Sequence, residues 1–257
     1  MDDTTAPEVR PTALMPGPRC LDVLAPLLPA GAVVYVAGLL DRDDLLVRLS
    51  RPRRTKLGDH RPPGRGASAH RISLNADLNP FAMLTTLVHE VAHAEAWHWR
   101  RRRPERPHGP EWQQAFARLL EPLVAGAVLP ADVRAALARS LARPRAATCS
   151  DRGLLLALSR YDHRHDARVF AETVAVGGFF RVDDGTMFRA GPMVRTRRRC
   201  FAWPGGQEYS VHGLARVMPV TGDEAAVAFS AWSSARLAGR PSRAPLRPRG
   251  RLRRPRS

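Results

Sequence analysis

The residues with the clearest chemical promise lie in the segment LVHEVAHAE, which contains His89-Glu90-Val91-Ala92-His93. On a helix, residues four apart stand one above the other on one side. Two imidazoles in that relation can hold one metal ion, and zinc suits them because it takes neutral histidine nitrogen in tetrahedral geometry. Glu90, beside the first ligand, has the right type and position for a general base in peptide hydrolysis. A catalytic zinc needs a third protein ligand and an open fourth position. His98 lies on the same helix, but five residues beyond His93, a rotation of about 140°. His108 follows a break at Pro104 and Pro107 and opens HGPEW, so the chain can fold back and deliver it to the metal. Glu111 is the rival, as a carboxylate third ligand. One zinc is expected, on His89, His93 and His108, with Glu90 as the catalytic carboxylate.

The elements that must position these residues are legible around them. Asn79 can cap a helix and Pro80 suits its first turn. Phe81, Leu84, Leu87, Val88, Val91 and Ala94 recur at helical spacing and predict an apolar face. Arg100 to Arg103 suit the negative end of that helix. They could also guide a polyanion. A second helix should begin at Pro110, with Trp112, Phe116, Leu119, Leu120 and Leu123 on one side, and a third should span 130–142. Upstream, 20–29 and 31–40 read as short helices, and 45–50, 55–59 and 69–75 as short strands. After Pro144 the texture changes. A short helix over 151–160 precedes VFAETV, GFFRV, TMFRA, RRRCFAW, YSVHG and ARVMPV, which predict a small antiparallel β unit.

HEVAH followed by HGPEW and preceded by RISLN resembles the SprT-like metalloproteases, the group that includes Spartan. TKLGD, RISLNADLN, TLVHEVAHAEAW and PHGPEWQQAF stand in the family's order, and the resemblance covers about residues 30–125. It implies zinc on His89, His93 and His108, and catalysis by Glu90. The implied fold is α+β, a minimal zincin-like metalloprotease domain with a small sheet packed on the HExxH helix. The implied substrates are proteins bound to nucleic acid, including those crosslinked to DNA. ATCSDRGLLLAL, GTMFRAG, RTRRRC and YSVHGLARV further resemble the C-terminal half of a bacterial subgroup. The chain departs from many members in lacking a four-cysteine zinc ribbon, and the β unit is the candidate to replace it in binding nucleic acid.

Four regions are expected: a disordered N-terminus at 1–19, the SprT-like domain at 20–145, a β-rich domain at 146–220, and a disordered basic tail at 221–257. The 257 residues carry a net charge of +17, with 41 cationic side chains of which only Lys56 is a lysine. Residues 221–257 hold nine arginines against Asp223 and Glu224, a surplus of seven that leaves ten elsewhere. This balance favours a polyanionic partner, chiefly nucleic acid. Alternation along VRTRRRC would place Arg195, Arg197 and Arg199 on one strand face, with Arg198 beside them and Phe201 and Trp203 near enough to stack on bases. His163 and His165, two apart on an expected loop, read as surface residues. Cys20, Cys149 and Cys200 are too sparse for a disulfide framework. With no apolar leader and no long apolar run, a cytoplasmic protein without a membrane partner is expected. The reading is a zinc metalloendopeptidase. The alternative is a non-catalytic nucleic-acid-associated factor with a structural or vestigial zinc site.

Overall fold

The computed structural model describes residues 10–53, 56–64, 66, 68–99, 108–141, 151–162 and 167–237, without the side chains of 98, 99 and 235–237. Arg100 to Arg103, Cys149, His163, His165, residues 1–9 and the segment 238–257 therefore lie outside the described residues, as does the side chain of His98. The protein is α+β, with seven α-helices and two sheets among the described residues. It divides into two compact units, Met1–His163 and Arg164–Ser257.

In the first unit, β1 (Met15–Pro16) leads into α1 (Gly17–Leu24) and α2 (Val33–Leu40). Then come β2 (Leu45–Ser50), β3 (Gly58–Arg61) and β4 (His70–Asn75). The sheet order is β1-β2-β4-β3, with β2 and β4 parallel and β3 antiparallel at the edge. Leu45, Val47, Leu49, Ile72 and Leu74 are fully buried. Against them runs α3 (Pro80–Trp99), which carries the HEVAH motif. Asn79 caps it as expected, its Oδ1 accepting from the amides of Phe81 and Ala82 at 3.1 and 2.9 Å. The helix is not amphipathic. Met83, Thr85, Thr86 and Ala92 are buried along with the predicted apolar face, because the helix has neighbours on several sides. Those neighbours include β3, β4 and α4 (Pro110–Ala125). The latter is followed by α5 (Ala131–Leu141).

Two expected boundaries are corrected. Residues 10–19 are not disordered. Thr12 donates its amide to the Leu49 carbonyl, Met15 and Pro16 pair with β2, and α1 begins at Gly17. The short helix expected in the second domain, α6 (Arg152–Ser159), belongs to the core of the first. Leu154, Ala157 and Leu158 are buried there, and Asn79 Nδ2 donates to the Leu158 carbonyl and to Asp162. Asn79 thus caps α3 and holds the end of α6 with the same amide.

The second unit contains β5 (Val169–Phe170), β6 (Phe179–Arg181), β7 (Met187–Val194), β8 (Arg197–Ala202), β9 (Glu208–His212) and β10 (Arg216–Val220). The sheet order is β5-β10-β6-β7-β8-β9, all antiparallel. Phe180, Phe188, Ala190, Cys200, Tyr209, Val211 and Val217 make its core. A third correction follows it. The expected disordered tail begins instead as α7 (Gly222–Leu237), whose Ala225 packs with Met187 and Val220. Among the described residues, no helix is long and apolar enough to cross a membrane.

Candidate metal centre and active site

His89 and His93 project from α3 one turn apart, as the spacing requires. His108 sits just before α4, which begins at Pro110. The Nε2 atoms of His93 and His108 each stand 3.2 Å from Nε2 of His89. All three ligand atoms lie within 4.8 Å of one another, and Glu111 is not part of that group. Tetrahedral zinc with bonds of about 2.0–2.1 Å would set nitrogen pairs about 3.3–3.4 Å apart. The donor set and its spacing therefore fit a tetrahedral metal with one position left over. Burial, followed by the charge of His108, lowers the His89 pKa to about 3, so this imidazole is held in the neutral form that ligation needs.

Trp112 supports the trio. It is 4% exposed, lies 4.6–5.4 Å from the three imidazoles between ring centroids, and donates Nε1–H to the His89 carbonyl at 3.3 Å. Its apolar helix position predicted burial, and only the fold shows that what it is buried against is the histidine cluster.

Glu90 is 5% exposed. Burial pushes its carboxyl up to about 8, and neighbouring Asp59 adds to the rise. Arg53, Lys56 and a hydrogen bond from the His60 main-chain N–H pull the other way. Strand β3 approaches this carboxylate closely because residue 58 is glycine. A Cβ there would stand 2.7 Å from Thr86 Cγ2 and 2.8 Å from Glu90 Cγ. Gly58 is a site residue that motif reading missed, and its available signal was an isolated glycine within a strand pattern.

Sequence reasoning also missed His60 and His70. They lie ten residues apart, and the β3–β4 register brings them together, with His60 Nε2 2.9 Å from His70 Nδ1. His70 is buried, with its Nε2 4.0 Å from Asp44. The His60 ring lies nearly parallel to that of His93, at 9° and 5.8 Å between centroids. No local spacing could announce this contact, because strand pairing creates it.

Residues 38–134 match the SprT-like family. The match takes in β2 to β4, α3, α4 and the start of α5, and with them His89, Glu90, His93 and His108. No curated protein and no solved structure matches the chain. The second unit lies beyond the SprT-like segment, and so do all four blocks that resembled a bacterial subgroup, of which ATCSDRGLLLAL falls in the first unit and the other three in the second.

In that second unit the arginine run is corrected. Arg195 is not on a strand but in the turn between β7 and β8, at a φ of 55°. Arg198 is 2% exposed and points inward, donating to the carbonyls of Gly191, Ala171 and Glu172. The sheet curls so that β8 reaches the turn after β5, and a guanidinium with five donors closes the gap. Arg198 therefore has no open face for phosphate. Arg197 and Arg199 do share a face. Arg197 bonds Ser210, and Arg199 makes a two-pronged pair with Glu208 at 2.8 Å.

Proposed function

We propose that the chain is a zinc-dependent endopeptidase of zincin-like architecture, acting in the cytoplasm on proteins held by nucleic acid. The observation that carries the reading is three imidazole nitrogens within 4.8 Å of one another, two of the pairs at 3.2 Å, with a buried carboxyl on the helix that supplies two of them. Bound there, zinc would supply Lewis acidity that polarises the scissile carbonyl and eases ionisation of the attacking water. Glu90 takes the proton from that water and passes it to the leaving amine. Gly58 and the His60 amide fix the carboxylate for this work. Strand β3 stands at the sheet edge beside the site, where an extended peptide can add as a further strand. The SprT-like match supports the reaction class, and the +17 charge supports the nucleic-acid partner.

The test joins metal analysis to proteolysis. The purified chain should contain one zinc and cleave a DNA-bound protein substrate. Glu90→Gln should keep the zinc and abolish cleavage. Zinc retained by a wild-type chain that hydrolyses nothing would move the protein to the non-catalytic reading.

A further inference from the structure

The second unit carries a surface that neither the metal centre nor the family match explains. Across β6, β7 and β8, Phe179, Arg189 and Phe201 stand opposite one another on one face. The guanidinium carbons of Arg189 and Arg199 lie 5.7 and 5.9 Å from the centroid of the Phe201 ring. Two residues further along, Trp203 meets Phe179 at 4.9 Å between centroids. The row then passes onto α7. Phe229 lies 5.7 Å from Trp203, and Trp232 lies 6.0 Å from Phe229. Trp203 Nε1–H donates to the Ala225 carbonyl at 2.8 Å, which fixes the start of the helix to the sheet. Phe229 is 44% exposed, and Phe179, Phe201, Trp203 and Trp232 are half-buried.

We propose that this row of rings, flanked by Arg189 and Arg199, binds single-stranded nucleic acid. Unpaired bases present π-faces that stack on aromatic side chains whatever the sequence, and arginines between the rings meet the phosphates. Arg199 shares its charge with Glu208, so more of the phosphate contact falls to Arg189. Beyond α7 the chain continues into residues 239–257 with eight arginines, so the same helix that carries Phe229 and Trp232 leads into a polycationic segment. A duplex keeps its base faces covered and offers the rings nothing to stack on. A second copy of this chain would bring its own +17 charge against the surface. The surface differs from the expected arginine run, of which Arg195 lies in a turn and Arg198 points inward.

This inference rests on the nucleic-acid part of the reading above and is independent of catalysis. The full chain is titrated into a labelled oligothymidine of about 20 nucleotides and a matched duplex, and binding is followed by anisotropy across salt. Phe201→Ala and Phe229→Ala should each weaken single-strand binding by about 5- to 100-fold, with unchanged circular dichroism melts. Phe201→Tyr should bind like the wild type. Arg189→Ala should reduce the slope of log affinity against log salt by about 0.7. Aromatic variants that bind as the wild type does, or lose duplex and single strand equally, would overturn the proposal. So would Phe229→Ala converting a dimer to a monomer without altering oligonucleotide binding. Failure to bind any oligonucleotide sinks this surface, while cleavage of a free protein substrate would still uphold the peptidase.

Discussion

Replacing Glu90 by glutamine should stabilise the metal-free protein, and the gain should grow with pH. Burial is the main reason that the folded carboxyl is pushed from 4.5 up to about 8. The folded state therefore holds this proton more tightly than the unfolded chain does. The stability tied to it is full below pH 4.5 and is lost as pH rises through about 8. The interval is about three and a half pH units, and at ~1.4 kcal/mol per unit the ceiling is about 5 kcal/mol. Structural relaxation and water entry lower that figure, so a gain of about 2–5 kcal/mol at pH 8.5 is the expectation. Glutamine keeps the shape and an acceptor for the His60 amide, and it carries no charge to bury. The assay is urea unfolding of chelator-stripped protein from pH 5 to 9, followed by fluorescence of the tryptophans, with exposed Glu121→Gln as the control. The two curves should nearly coincide at the acid end and separate steadily. Added zinc should narrow the gap, because a nearby cation favours the ionised carboxylate. A difference independent of pH, or a wild type that gains on the variant as pH rises, would refute the reasoning.

Three further outcomes are expected. Alanine at His89, His93 or His108 should each abolish tight zinc binding, whereas Glu111→Ala should retain it; the reverse order for His108 and Glu111, read by competition with a chromogenic chelator, would reassign the third ligand. Gly58→Ala forces a methyl group against Thr86 and Glu90, so it should cut cleavage by at least about 100-fold if a misplacement near 1 Å results, with zinc content unchanged. Arg198→Ala strands three carbonyls in the second unit and should destabilise that unit by about 3 kcal/mol in urea unfolding, whereas Arg195→Gly, which relieves a left-handed φ, should leave it as stable or more so.

The sequence by itself determined what depends on short-range periodicity and on single residues at element ends. Helical spacing placed His89 and His93 on one side of a helix, Asn79 and Pro80 marked its start, and Pro110 opened the next helix. The strands of the second unit follow from β-branched and aromatic runs cut by turns, and all six appear close to where those runs lie. Residues 10–19 and 222–237 read as disordered because Pro, Ala and Ser give no strong local signal; pairing to β2 and packing on Met187 and Val220 order them. Tertiary structure alone decided which faces meet. It gathered His108 to the pair on α3, set Gly58 against Glu90, and joined His60 to His70 through register. It also split the arginine run. Alternation assigns residues to two faces but not to inside or outside, and a turn at Arg195 removes that residue from either face. The curl of the sheet put Arg198 inside, where distant carbonyls satisfy it, and left Arg197 and Arg199 outside. Such contacts join positions far apart in the chain, and no local pattern in a single sequence encodes which distant partner closes them.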